Sequence, residues 1–270
     1  MIMASESISI LTFNFLGIPF FSRNYQKRLQ LLIEEVAKIN PDVLCFQEVW
    51  LRQARSYLTK NLKPFGFEYS FHPTSKFRLN GLLTLSKKEI SSPKSFVFKP
   101  LVKGFDFSFF ELFGVKGYSL AKIKLAEEEI FVFNVHLSVD WNYGLGRDSK
   151  FALAKLKEID LLSEAINTLG EQKIIVVGDF NFDPGTFFCK RLLKSGVKNI
   201  SLGKNSHIKT ALPNLYNKFY VPRLGEEIDL VFSKNLSEDS VSDFKVLWNK
   251  PFKNIGYLSD HAGVLAKFRI

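Results

Sequence analysis

The stretch IIVVGDFNFDPG, Ile174 to Gly185, decides how the rest of the chain is read. Four apolar residues run into Gly178 and are followed at once by Asp179, Phe180 and Asn181. A short apolar run bounded by turn residues reads as a buried strand. Gly178 reads as the stop of that strand, and Asp183-Pro184-Gly185 as the turn that carries the chain away. A buried strand that ends in a carboxylate and a carboxamide two residues apart is either turn chemistry or one wall of a site.

The segments around it supply context. Residues 149–169 carry Leu153, Leu156, Leu162, Ile166 and Leu169 and read as an amphipathic helix ended by Gly170. Upstream, YSLAKIKLAEEEIFVFNVHLS reads as a hairpin, with strands at 118–125 and 130–137 around the polar turn Glu127–Glu129. Alternation puts Asn134 and His136 on one face of its second strand. Further upstream, Ser7–Phe15 (SISILTFNF) reads as a strand. Leu29, Leu32, Ile33, Val36 and Ile39 mark a helix that Asn40-Pro41 stops, and DVLCFQEV is a short buried strand ending at Gln47-Glu48. GLLTLSK (Gly81–Lys87) is another strand, TFFCKRLLKSG a short helix, and EIDLVFS and GVLAKFRI late strands. Strands with interspersed helices, some joined as hairpins, predict mixed sheets with helices outside.

The 270 residues contain no linker, repeat or low-complexity run, which favours a single domain over 1–270. At 46% hydrophobic and 24% charged residues the chain has ample material for a core. Thirty-seven basic residues against 27 acidic ones give a net charge of +10, which favours an anionic partner such as nucleic acid, an anionic membrane face or a phosphorylated substrate. Two scattered cysteines make neither a disulfide framework nor a metal motif. No signal peptide pattern and no 18-residue apolar run is present, so the expectation is a soluble or peripheral membrane protein, acting as a monomer.

Several strands end in, or carry, residues of a catalytic type: Asn14, Glu48, His136, Asp179 with Asn181, Asp229, and Asp260 with His261. Each alone has an ordinary structural reading as a turn former, a solvated acid, a helix cap or a satisfied core histidine. Together they are harder to dismiss. Acids beside long apolar runs are costly unless paired, and carboxylates gathered at one place raise one another's pKa. A hard divalent cation relieves that conflict, and carboxylates, amides and water suit Mg2+, with Mn2+ as the alternative. Two histidines can supply acid–base chemistry near neutral pH. No zinc spacing occurs, and GLGRDSK (Gly144–Lys150) is not a phosphate-binding P-loop.

The ordered set LTFN, CFQEV, FNVHLS, GDFN, IDLVFS and SDHAGV resembles the endonuclease/exonuclease/phosphatase (DNase I-like) superfamily over about residues 8–270. The resemblance implies a four-layer α/β sandwich: two mainly antiparallel sheets packed face to face, flanked by helices, hydrolysing phosphoesters with Mg2+. It implies Glu48 as principal metal ligand, with Asn14 close by and Asp260 as an outer metal-side acid. Asp179 would orient or activate the attacking water, and Asn181 would bind phosphoryl oxygens. His261 would contact the phosphate or act as base, with Asp229 on its other nitrogen, and His136 would stabilise developing charge or protonate the leaving oxygen.

Arg78–Lys87 (RLNGLLTLSK), GVKGYSLAKI, the run through HIKTALPNLYN, and GYLSDHAGVLAKFRI are similar to the neutral sphingomyelinase branch. Arg78 and Trp141 become candidates for substrate binding. Lys103–Gly117 (KGFDFSFFELFGVKG) holds five Phe between lysines, and Trp141 and Tyr143 follow His136 closely, which suits an enzyme dipping into a membrane interface. The same phenylalanines would serve equally to pack on the sandwich, and Trp141 and the basic residues to hold a nucleic acid. A sphingomyelin-type phospholipid is the leading substrate and DNA or RNA the alternative.

Overall fold

A computed structural model describes residues 6–17, 23–73, 79–98, 114–140, 148–201, 209–212 and 227–270. The strands are β1 (Ser7–Asn14), β2 (Val43–Gln47), β3 (Tyr69–Phe71), β4 (Leu79–Asn80), β5 (Leu83–Ser86), β6 (Ile90–Val97), β7 (Gly114–Val115), β8 (Gly117–Lys124), β9 (Glu129–His136), β10 (Ile174–Asp179), β11 (Lys198–Asn199), β12 (Asp229–Lys234), β13 (Val241–Leu247) and β14 (Gly263–Arg269). The α-helices are α1 (Tyr25–Ile39), α2 (Arg52–Leu62), α3 (Lys150–Asn167) and α4 (Phe187–Leu193).

Two six-stranded sheets form, in the orders β13-β14-β1-β2-β5-β3 and β11-β12-β10-β9-β8-β6, and β4 pairs with β7 apart from both. Each sheet contains one parallel pair, β1 with β2 and β9 with β10, and its other pairs are antiparallel. Both parallel pairs are joined by a crossover helix, α1 in one sheet and α3 in the other, because parallel neighbours need a long return connection. Leu29, Leu32 and Val36 of α1 and Ala54, Leu58 and Leu62 of α2 pack on the outer face of the first sheet. Ile159, Leu162 and Ile166 of α3 and Phe188 and Leu192 of α4 cover the second. The layers are therefore helix, sheet, sheet, helix, the four-layer sandwich expected. Among the described residues no helix is long and apolar enough to cross a membrane.

Period-2 alternation fixes what lies between the sheets. At one end the inward residues are Ile8, Ile10, Val43, Cys45, Val132, Ile175 and Val177, a dry aliphatic layer. Two residues further along come Thr12, Gln47 and Asn134. Gln47 Nε2 donates to Asn134 Oδ1 (2.8 Å) and Thr12 Oγ1 (3.0 Å), and Asn134 Nδ2 to Phe46 O (3.1 Å). Beyond this amide layer the same strands end in Asn14, His136 and Asp179. The inter-sheet space thus grades from apolar to amide to ionisable along the strands, and the ionisable end is the candidate site.

Two expectations need correction, and some elements went unread. Gly178 does not stop its strand but lies inside β10, at φ +146, opposite Val135 of β9. A Cβ there would sit 2.0 Å from Val135 O, so glycine is required by close approach as well as by backbone conformation. Leu153 is not on the buried face of α3 but 53% exposed, and Lys155 occupies that stripe at 0%. Helix α2 and strands β3, β6 and β13 carry no clear signal in the sequence. The three strands lie at sheet edges; β6 shifts register between Ser91 and Lys94, beside Pro93, and β13 between Val241 and Asp243. In α2 the buried stripe is reduced to Ala54, Leu58 and Leu62.

Gly178→Ala is expected to destabilise the protein by about 3–5 kcal/mol through backbone strain and the clash with Val135 O. Gly170→Ala, at φ +57 with open space around it, should cost only about 1 kcal/mol. Urea unfolding of both variants measures the contrast.

Candidate active site

Strand register brings the sequence candidates to one edge. Asn14 ends β1 opposite Gln47, and Glu48 follows directly; His136 and Asp179 end β9 and β10 as a register pair, and Asp179 also pairs with Asp229, the first residue of β12. His261 lies two residues before β14 and bridges to Ala211.

Asp179 is the centre. Its Oδ2 accepts from Asn14 Nδ2 (3.0 Å), a hydrogen bond from one sheet to the other, and lies 3.3 Å from His136 Nε2 and 3.9 Å from His261 Nε2. Its Oδ1 accepts the Asn181 N–H at 2.9 Å. Asn181 is left-handed at φ +52, and its Nδ2 donates to Leu137 O at 2.9 Å. The two readings of GDFN are therefore one: an Asx-type turn holds the acid that forms the wall of the site. Burial pushes the Asp179 carboxyl up, but His261, His136 and Lys116 outweigh burial and hold it well below the usual carboxylate range.

His261 Nδ1 is 2.8 Å from Asp229 Oδ2, which fixes the ring and turns Nε2 toward Asp179 and toward Asp260 Oδ1 at 4.0 Å. Burial alone would lower the His261 pKa, but Asp229, Asp179 and Asp260 raise it well above the ordinary imidazole value. Burial raises the Asp229 and Asp260 carboxyls, with Asp179 adding to the first and Glu48 to the second. Thr210 supports this corner: its Oγ1 accepts the N–H of Ile228 and of Asp229, each at 3.0 Å, and its carbonyl accepts the Ala262 N–H at 2.8 Å.

Glu48 is held by its backbone. It adopts φ +57, its carbonyl accepts the Gly17 N–H at 2.9 Å, and a Cβ on Gly17 would lie 2.2 Å from that oxygen. On its other side Gly81 packs so closely that a Cβ would come within 2.9 Å of Glu48 Cα. A left-handed non-glycine residue costs about 1–3 kcal/mol and persists only where the surroundings over-determine it. The Glu48 carboxylate puts Oε1 3.7 Å from His136 Nε2 and 3.9 Å from Lys116 Nζ, while Oε2 is buried without a hydrogen-bond partner. Lys116 Nζ in turn lies 2.5 Å from His136 Nε2, and the Trp50 ring is tilted beside His136 at 6.3 Å.

The donor set fits a divalent cation. A buried carboxylate oxygen without a partner is the feature a cation would satisfy, and Glu48 supplies one. A ligand atom from each of Asp179, Asp229 and His261 also lies within 4.8 Å of the others. In that second group His261 Nδ1 and Asp229 Oδ2 already bind each other, while Asp229 Oδ1, like Glu48 Oε2, is buried without a hydrogen-bond partner.

The structure thus gathers Asn14, Glu48, His136, Asp179, Asn181, Asp229, Asp260 and His261 at one end of the sandwich. Arg78, Trp141 and Tyr143, and the phenylalanines of the 101–113 stretch, lie outside the described residues. Sequence reading missed Lys116, whose place between two glycine-bordered strands gave no sign that it reaches His136. It also missed Trp50, and Thr210, which carries no sequence signal of its own.

Comparison with known proteins gives the family and agrees on the fold. The model of the endonuclease/exonuclease/phosphatase family matches residues 11–261. A Drosophila melanogaster protein described as "Putative neutral sphingomyelinase" is 25% identical over 274 residues, 97% of this chain and 61% of that protein, so the chain spans about three fifths of its relative's length. The crystal structure of SmcL superposes with a TM-score of 0.76 at 18% identity, covering 98% of this chain and 99% of that one. D. rerio TDP2 complexed with a single-strand DNA product gives 0.72 at 17% identity, covering 98% and 100%. The chain belongs to the endonuclease/exonuclease/phosphatase family.

Proposed function

We propose that residues 1–270 work as one catalytic domain, a divalent-metal-dependent phosphodiesterase that hydrolyses a sphingomyelin-type phospholipid at a membrane surface. The observation that carries the chemistry is the convergence on Asp179 Oδ2 of Asn14, His136 and His261, beside a buried Glu48 oxygen with no partner. Glu48 would be the principal ligand of Mg2+ or Mn2+, with Asn14 and Asp260 beside it. Held there, a cation would supply charge neutralisation and polarisation of the phosphoryl group.

The chain's own residues do the rest. Asp179, held ionised, accepts a hydrogen bond from water and orients it toward phosphorus. His261, kept protonated by Asp229, Asp179 and Asp260, donates to a phosphoryl oxygen. His136 and Lys116 face the same space and stabilise charge that develops on the phosphoryl or leaving oxygen. Asn181, which gives one Nδ2 hydrogen to Leu137 O, would use the other on a phosphoryl oxygen.

The lipid reading is supported by the name of the fly relative and by the aromatic, lysine-flanked segments of the sequence. The net charge of +10 favours the second reading, a nuclease.

Asp179→Asn and His261→Ala are each expected to lower kcat by about 10²–10⁴-fold with the fold intact by circular dichroism; near-wild-type turnover in either refutes the assignment. Phosphocholine release from sphingomyelin liposomes, compared with plasmid nicking in Mg2+ or EDTA, decides the substrate. Phosphocholine release abolished by EDTA is the expected result, and salt-sensitive nicking without lipid hydrolysis favours the nuclease.

The raised His261 pKa also makes stability depend on pH. Because the folded value exceeds the unfolded one, its contribution is complete below the unfolded value, about 6.5, and is lost as pH rises through the folded value. In EDTA the stability gap between wild type and His261→Gln should be widest in mild acid and narrow in alkali. Chemical denaturation at a series of pH values measures it.

A further inference from the structure

Three cations reach inward from the outer helices, and the chemistry above uses none of them. Arg28 of α1 is fully buried. Its Nε donates to Leu258 O (2.6 Å), Nη1 to Leu16 O (3.3 Å) and Nη2 to Phe15 O, with the guanidinium 4.6 Å over the Phe15 ring. One side chain thereby ties the loop after Asn14 to the loop before Asp260 and His261. Arg55 of α2 donates through Nη1 to Val49 O (3.0 Å), Trp50 O (3.1 Å) and Asn80 O (2.9 Å), tying the loop after Glu48 to the chain before Gly81. Lys155 of α3 is fully buried, lies over the Phe188 ring at 5.1 Å, and donates from Nζ to Asn181 O. One turn on, Glu158 accepts from the N–H and hydroxyl of Ser138 at 2.9 and 2.6 Å, holding the loop after His136.

These positions run against local preference. A cation near a helix N-terminus faces the positive end of the macrodipole, and the first turns of α1, α2 and α3 contain no acidic residue to soften it. Arg28 and Lys155 also stand where an aliphatic residue would cost less desolvation. What they grip is specific. Leu16 and Asn181 are left-handed non-glycine residues at φ +49 and +52, and the carbonyls held are their own; Val49 and Trp50 directly follow Glu48, at φ +57. Such backbone survives only under external constraint.

We propose that Arg28, Arg55 and Lys155 are positioning residues: each fixes, through main-chain carbonyls, a left-handed loop that carries part of the site, and so sets where Asn14, Glu48, Asn181 and His261 stand during the reaction. This rests on the phosphodiesterase reading for its kinetic consequence, but not for its structural one.

The test uses Arg55→Met, which leaves the two buried cations in place, with Arg28→Met, Arg28→Lys and Lys155→Met. The exposed Lys27→Met and Lys157→Met, on the same helices, are controls. Turnover of bis(p-nitrophenyl) phosphate with Mn2+ is measured well below each melting temperature. Amide exchange is followed by mass spectrometry over 14–17, 48–50 and 179–182. Folded clamp variants should lose about 10²-fold in kcat with KM within about threefold, the signature of misplaced catalytic groups. Exchange should quicken about tenfold in the loop each cation grips. Arg28→Lys should recover part of the loss, since a single ammonium can keep one carbonyl but not span three. Folded variants whose kcat and loop exchange both stay within about twofold of wild type overturn the proposal. If the wild type hydrolyses no phosphodiester, the function reading fails alone, and exchange still decides the clamps.

Discussion

The hydrogen bond from Asn14 to Asp179 is the contact on which the rest of the site depends. It is buried, it crosses from one sheet to the other, and its acceptor is a carboxylate that must remain charged in a space only a few residues from a dry aliphatic core. An isolated ionised acid there would be prohibitively costly or would take up a proton. Asp179 avoids both because the Asn14 amide and the Asn181 backbone N–H donate to it, with the His136 and His261 rings close to its Oδ2 at 3.3 and 3.9 Å. The amide layer of Thr12, Gln47 and Asn134 beneath it has the same logic. It lets the sheets stay close-packed while the space between them changes from hydrocarbon to polar. The pairing of the sheets and the ionisation of the site are therefore one problem with one solution.

Topology decides where that solution can sit. Each sheet contributes one parallel pair linked through an outer helix, so each sheet has two adjacent strands ending at the same edge, with a loop leaving from each. Asn14, His136 and Asp179 end three of those strands, and Glu48 directly follows the fourth. The carboxyl ends of parallel strands are a recurrent place for ligand sites in α/β proteins. Here two such edges face one another, and the antiparallel strands β12 and β14 bring Asp229 and His261 to the same rim. The side chains stand on strand ends, while the backbone just beyond them is bent into left-handed turns that close packing at Gly17 and Gly81 keeps in place.

Much of this was legible in the sequence because the site residues sit at the ends of strongly apolar strands. IIVVGD and FNVH announce a buried strand and a polar terminus together, and period-2 alternation alone places Asn134 and His136 on one face. The misreadings have physical causes. Gly178 looked like a terminator because glycine usually is one; it is instead a mid-strand residue admitted by the approach of Val135. Leu153 was placed on the buried face of α3, where Lys155 stands instead, because a helical stripe is read by hydropathy and a buried lysine breaks that rule. Edge strands β6 and β13 bury too little to show a period. Lys116 and Thr210 act through tertiary proximity, His136 and Glu48 for one and the Asp229 backbone for the other, and no local pattern encodes that.

The electrostatic balance explains why the site needs all its parts. Four carboxylates, Glu48, Asp179, Asp229 and Asp260, meet in a small volume. Lys116 and the charged His261 offset part of this, and burial opposes the rest, which is why Asp229 and Asp260 are pushed toward protonation while Asp179 is not. Asp179 escapes because both histidines and Lys116 act on it at once, whereas Asp260 also feels Glu48. Their neighbours thus sort three of the four, Asp179 held low and Asp229 and Asp260 pushed up by burial and by the acids beside them. A divalent ion at Glu48 would act on the same balance, since positive charge there would lower the cost of ionising Asp260.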